Sequence, residues 1–205
     1  MWIILLIVFI LLHIWYQYKT CDDLEIHFLD FPGHDLLEQA CRLKQPLHFT
    51  YPLPLELNLK EYGPYEIMIN NKLIPLQKAP KHYVSQNNQE FLQETRLFRN
   101  YENMDEDLRP DLCSERTYDL LLGDKPTPLQ YKDCDRTYLY GIEGTSKVRI
   151  ATPRNYKYMH NDVDLWNLKD GSKIKYKEIT LSPKQVIFIP AYWWYTVQFD
   201  NSKVA

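Results

Sequence analysis

Residues 1–16 read MWIILLIVFILLHIWY, with no charged side chain and only His13 to interrupt the apolar run. A chain that begins this way must bury the run in a core, hide it in lipid, or lose it by cleavage. A helix over residues 1–18 would span roughly 27 Å, close to a ~30 Å hydrocarbon core. Trp2 stands at one end and Trp15, Tyr16 and Tyr18 at the other, in an aromatic-belt arrangement, with Lys19 placed to snorkel. No Lys or Arg precedes the run, and residues 17–22 hold no small-residue cleavage motif, which argues against a signal peptide. The expectation is one transmembrane anchor over residues 1–18, with a lipid bilayer as its partner and His13 as an interfacial polar residue. Lys19, on the C-terminal side of the run, then favours a body on the cytoplasmic face.

The mean hydropathy of -0.46 therefore averages this run with a much more polar body. A chain of 205 residues is expected to form one domain beyond the anchor, over residues 19–205. The net charge of -3 leaves no cationic footprint, so no nucleic acid partner is expected. Sixteen Tyr and five Trp favour strands and aromatic-lined cavities over a helical bundle. Cys21, Cys41, Cys113 and Cys134 form no C-x-x-C pair, which argues against a zinc knuckle or a thioredoxin-type site and for free, buried thiols.

Along the body, the apolar pattern predicts a short strand near residues 24–28 and a turn at Pro32-Gly33. A helix over residues 34–43 and a strand over 45–50 follow. Leu53, Leu55, Leu57 and Leu59 alternate, but Pro52 and Pro54 demote that stretch to an edge or irregular strand. Residues 65–70 predict a strand. Residues 84–101 take a helical period, with Ser85 as the N-cap. The acidic residues 103–124 read as a solvated loop. Residues 137–140, 147–150, 186–189 and 193–199 predict strands separated by turn signals, the spacing of a sandwich or barrel. Lys169, Lys173, Lys175, Lys177 and Lys184 mark a hairpin with a solvated face, the alternative being a basic patch for anionic lipid or a protein.

Three stretches carry a resemblance. The first is Thr127-Pro-Leu-Gln-Tyr-Lys132. The second is Tyr140-Gly-Ile-Glu-Gly-Thr-Ser-Lys-Val-Arg-Ile150 with Thr152-Pro153. The third, and the most specific, is Leu181-Ser-Pro-Lys-Gln-Val-Ile-Phe-Ile-Pro190 followed by Ala191-Tyr-Trp-Trp-Tyr-Thr-Val197. In this order they resemble the cupin-like domain of the JmjC superfamily, in a divergent form similar to those of large DNA viruses and protists. The resemblance covers residues 22–205, with Thr127, Pro190, Trp193 and Trp194 as its motif residues. It implies a mainly β chain with flanking helices, folded as a double-stranded β-helix of the cupin or jelly-roll type. Residues two apart on a strand share a face, so an H-x-D pair plus a distal His gives the facial triad that holds Fe(II) for 2-oxoglutarate and oxygen.

By residue, the family's first His falls on Gln130, its carboxylate on Lys132 and its distal His on Tyr195. Gln is a weak neutral donor, Lys is a cation with an ordinary pKa of about 10.4, and one Tyr does not hold Fe(II). His160-Asn161-Asp162 has H-x-D spacing but no His after it. Lys147 is the nearest match to the family's cosubstrate-binding basic residue, with Lys132 as a second candidate anion contact. Lys132 and Tyr195 are expected to share the barrel interior as a polar plug. No phosphate-loop, dinucleotide or nucleophile-elbow motif is present in the sequence. The reading is a membrane-anchored, non-catalytic cupin-like binding or scaffold domain with no catalytic residue, metal or cofactor and with an unnamed protein partner. Its alternatives are an Fe(II)/2-oxoglutarate-dependent protein hydroxylase or demethylase, and a structural jelly-roll component of a virion or membrane assembly. Residues 201–205 stop where the family's last barrel strand would continue, so the expectation is either a fragment or a barrel that lacks its closing strand and exposes an edge.

Overall fold

The computed structural model describes residues 1–52, 57–159, 163–169 and 171–200. The chain opens with helix α1 (Trp2–Tyr18), followed by β1 (His27–Leu29), α2 (His34–Arg42) and β2 (Leu47–Thr50). Next come β3 (Glu66–Ile69), β4 (Lys72–Pro75), β5 (Val84–Ser85), α3 (Gln89–Glu94) and α4 (Glu102–Leu108). Short strands β6 (Leu122–Gly123) and β7 (Gln130–Tyr131) lead into β8 (Arg136–Tyr140) and β9 (Ser146–Ala151). The described chain finishes with β10 (Tyr176–Leu181), β11 (Gln185–Pro190) and β12 (Trp194–Phe199).

The expectation of a mainly β chain closed into one double-stranded β-helix does not hold. The protein is a mixed fold, 31% helical and 27% strand, and its strands form three separate four-stranded sheets. Their orders are β1-β2-β11-β8, β10-β9-β12-β7 and β4-β3-β5-β6. Pairing is antiparallel except between β1 and β2. Besides α1 and α2, helix comes from residues 89–108: α3 and a 3-10 turn at Leu97–Tyr101 break up the helix expected over residues 84–101, and α4 takes the start of the expected acidic loop.

The transmembrane anchor is corrected as well. Helix α1 has 17 residues, about 25 Å at 1.5 Å per residue, and it stops where Lys19 turns extended at φ -63 and ψ 122. No helix among the described residues is long and apolar enough to cross a membrane. The residues of α1 up to Tyr16 are exposed and join none of the apolar clusters. A hydrogen bond of 3.5 Å from Lys44 Nζ to the Tyr16 carbonyl reaches the helix from the body.

The two larger sheets contribute to one apolar core. From β11 come Ile187 and Ile189, from β9 Val148 and Ile150, from β10 Ile179 and Leu181, and from β12 Tyr195, Val197 and Phe199, around a fully buried Trp193. The period of two explains this selection, because alternate residues share a face. Strand β11 reads as a continuous apolar run because its other face is covered too. Val186 and Phe188 meet Leu47 and Phe49 of β2 and Leu37 and Cys41 of α2. Helix α2 can lie there because Leu37, Ala40 and Cys41 fall at i, i+3 and i+4. Asp35 in its first turn and Arg42 in its last suit the helix dipole. Arg136 on β8 clamps the helix through an ion pair with Glu38.

The third sheet has its own core of Ile67, Ile69, Phe91, Leu92, Leu120 and Leu122. Its hub is Asn88, not the expected N-cap Ser85, which lies in β5. Asn88 Oδ1 accepts from Met68 N at 2.8 Å, and Asn88 Nδ2 donates to the Leu120 carbonyl at 2.6 Å and to Ser85 Oγ at 2.8 Å. Gly123, at φ 137, is required where β6 meets β5, because a β-carbon there would collide with the Tyr83 carbonyl. The four thiols are free, but of these only Cys41 is buried; Cys21 is half-buried, and Cys113 and Cys134 are exposed.

Candidate functional site

The sequence motif Thr127-Pro-Leu-Gln-Tyr-Lys132 enters the fold beside β12, and Thr127 holds it there. Thr127 N donates to the Val197 carbonyl at 2.8 Å, and Thr127 Oγ1 accepts from Val197 N at 2.9 Å. The Thr127 carbonyl accepts from Thr196 Oγ1 at 2.6 Å, and Thr196 Oγ1 accepts from Trp166 Nε1 at 3.1 Å. Thr127 and Thr196 are both buried, so these bonds satisfy groups that water cannot reach. Three residues on, β7 pairs with β12 so that Gln130 stands opposite Tyr195 and Tyr131 opposite Trp194.

The turn from β11 into β12 is tight. Pro190 ends β11, Tyr192 takes a left-handed φ of 66, and Trp193 N donates to the Pro190 carbonyl at 3.3 Å. Tyr192 N donates to the Lys132 carbonyl at 2.8 Å, so this turn is tied to the residue after β7. The turn sends the paired tryptophans to different environments. Trp193 is fully buried in the core between the larger sheets. Trp194 lies on the outer face, where the Tyr131 ring meets it edge-on at 4.6 Å and Tyr156 approaches at 6.4 Å. Tyr131 and Tyr156 are exposed.

The three positions that the resemblance sets against iron ligands are thus only partly gathered. Gln130 and Tyr195 are cross-strand neighbours, Gln130 half-buried and Tyr195 only 3% exposed among Ile150, Ile189 and Val197. Burial holds the Tyr195 phenol well above its usual range, with smaller electrostatic contributions from Cys134 and Asp119 in the same direction. Lys132 is exposed, so the expected plug of a buried ammonium beside Tyr195 is not formed. Lys147 is misplaced for an interior cosubstrate as well. Its neighbour Val148 faces the core, so Lys147 faces outward, and its Nζ lies 3.6 Å from the Asp200 carboxylate. The residues at the aligned positions therefore do not fit Fe(II). They amount to a neutral amide, a protonated phenol and a cation directed to solvent, without an imidazole or a carboxylate. The H-x-D stretch at residues 160–162 lies outside the described residues.

Two features escaped the sequence. His48, on β2, is 9% exposed, and neither ring nitrogen has a hydrogen-bond partner. Its position between Leu47 and Phe49 marks it as the inward member of a buried strand, but nothing in the sequence marks it as unpartnered. The second is an open polar cleft of about 420 Å³ lined by His34, Glu106, Arg109, Pro110, Asp111 and Cys113. There His34 Nε2 meets the Asp111 carboxylate at 3.2 Å and Nδ1 faces the Asp107 carbonyl at 3.3 Å, which raises the imidazole pKa. These residues come together only because α2 and the segment after α4 are neighbours in space, a juxtaposition of side chains more than seventy positions apart. No group of three or more His, Cys, Asp or Glu side chains suited to a metal ion gathers among the described residues. No known family model matches this chain, and no curated protein matches it.

Proposed function

We propose that this protein is a non-catalytic binding or scaffold module, one in which positions that carry iron ligands in JmjC-type domains serve packing. The observation that carries this reading is the Gln130–Tyr195 pair. It sits at the cross-strand contact where a ligand pair would stand, and its phenol is held neutral inside an apolar cluster. A protonated phenol must lose its proton to ligate, and burial makes that loss costly. The third position, Lys132, contributes its backbone carbonyl to the β11–β12 turn and leaves its ammonium in solvent. Residues that oxygenase chemistry would need free to bind and release ligands are here committed to holding β7, β11 and β12 together.

The test is direct. The full chain is purified without oxygen, loaded with Fe(II) and 2-oxoglutarate, and assayed for bound iron and for succinate formation on admission of air. The expected result is substoichiometric iron and no succinate above the buffer control. Stoichiometric iron with 2-oxoglutarate decarboxylation overturns the reading in favour of a protein hydroxylase or demethylase.

A further inference from the structure

His48 is placed between two strands of very different strength. On one side β2 pairs with β11 over four positions, with His48 opposite Ile187. On the other side β2 pairs in parallel with β1, which is three residues long and lies at the sheet edge, with His48 opposite Phe28. Residues opposite one another share a face, so Phe28, His48 and Ile187 point the same way, toward the core between the two larger sheets. The Phe28 ring stands edge-on to the imidazole at 5.3 Å and 68°. Phe28 is itself 70% exposed, so this ring is the cover between His48 and water at the sheet edge.

The surroundings of the imidazole are apolar. From β1 it faces Phe28, and from β11 it faces Ile187 and the Gln185 side chain. Gln185 Oε1 accepts from Ser182 N at 2.8 Å, and the Gln185 side chain raises the imidazole pKa against the larger, opposite effect of burial. The core it points toward is lined by Val148, Ile150, Ile179 and Leu181. His27 lies on the opposite face of β1, where its Nε2 contacts Gln45 Oε1 at 2.6 Å. No carboxylate or cation of the described residues acts on His48, and burial pushes its pKa below the usual imidazole range.

We propose that His48 is an acid-sensitive latch that holds β1, and with it the N-terminal segment, against the body. The neutral ring sits under Phe28 without needing a partner charge. The imidazolium brings a charge and two N–H donors into a buried site whose neighbouring side-chain acceptor, the Gln185 amide, offsets burial only in part, a state that water must relieve. The least costly route for water is to release the three-residue edge strand, since β2 remains bonded to β11. The sign follows from linkage. With β1 released the imidazole is solvated and titrates near about 6.5, whereas the latched form titrates lower. The open form therefore binds more protons below about pH 6.5, so latching is complete above that pH and is lost as the pH falls toward the latched-state value.

The experiment measures amide hydrogen-exchange protection of residues 27–29 in the full chain, corrected for intrinsic rates. Protection is expected to fall about tenfold or more from about pH 7.5 to about pH 5, while β11 amides keep theirs. In His48→Leu the fall should disappear. His48→Gln, which also cannot take a proton, repeats the test should the leucine variant fail to fold. His27→Gln should keep the full response. A wild-type segment whose protection does not change with pH overturns the latch. So does an equal fall in the His48 variants, or loss of the response in His27→Gln.

Discussion

Helix α1 and strand β11 are both uncharged apolar segments, and their fates are opposite. Residues 3–12 of α1 are 46% to 73% exposed, whereas Val186, Ile187, Phe188 and Ile189 of β11 are at most 1% exposed. The difference lies in the backbone. A helix satisfies its own N–H and C=O groups and can stand without a neighbour. A strand cannot, and β11 draws in β2 on one edge and β8 on the other. Pairing then brings both faces of β11 under cover, one beneath α2 and the other within the core of the larger sheets. Helix α1 has apolar side chains all round, so it offers no single face for the body to select. Apolarity states that a segment gains from burial; the backbone decides whether it is obliged to find it.

Matched substitutions sharpen the contrast. Trp193 is fully buried and Trp15 is 63% exposed. Trp193→Ala should destabilise the body by roughly 4 kcal/mol in chemical denaturation, the ordinary cost of emptying a buried aromatic site. Trp15→Ala should stay within about 0.5 kcal/mol of wild type in the same experiment. Equal losses would mean that α1 is as much part of the folding unit as β11.

Next in size is the clamp that covers the outer face of β11. Among the described residues, Glu38→Gln leaves the Arg136 guanidinium, 8% exposed, with only Asp135 at 3.5 Å as an anionic partner. A loss of roughly 3 kcal/mol is expected. Arg136 holds the Glu38 carboxyl below its usual range. The unfolded carboxylate therefore takes up protons first, so the clamp contributes fully above about pH 4.5 and is lost as the pH falls through the lower folded value. The wild type should lose stability across that acid window more steeply than Glu38→Gln, and parallel acid limbs would remove the clamp from the account.

Asn88→Ala should cost about 2 kcal/mol by leaving Met68 N and the Leu120 carbonyl without this partner, and urea denaturation should find it unfolding with the rest of the body. The smallest effect belongs to removal of residues 1–19, which should move the denaturation midpoint of the body by no more than about 0.5 kcal/mol. A drop of more than about 2 kcal/mol would break the comparison, because an exposed helix cannot contribute that much.

Much of the strand layout was legible. The alternation in residues 193–199 and the apolar run at 186–189 correspond to β12 and β11, and helix α2 falls within the expected residues 34–43. The misses have a common cause. Residues 103–108 read as part of a polar loop because acidic side chains dominate them, yet Met104 and Leu108, at i and i+4, pack inward and suffice to anchor α4. Ser85 has the chemistry of a cap but sits in a two-residue strand bound into the Asn88 network. Lys132 was expected in the interior, and Lys147 as the nearest match to a cosubstrate contact. Chain exit from β7 left the first in solvent, and strand parity turned the second outward.

The amino-acid sequence by itself determined which segments are apolar, which alternate and which turn, because those properties are local and need only near neighbours. It also determined that Gln130, Lys132 and Tyr195 are poor iron ligands, since donor chemistry belongs to the side chain wherever it lies. Only the tertiary structure decided that Gln130 and Tyr195 meet while Lys132 does not, that Trp193 and Trp194 part company, and that His48 is closed in under Phe28 without a partner. Those outcomes depend on register and sheet order, which long-range pairing sets and which no window of residues contains.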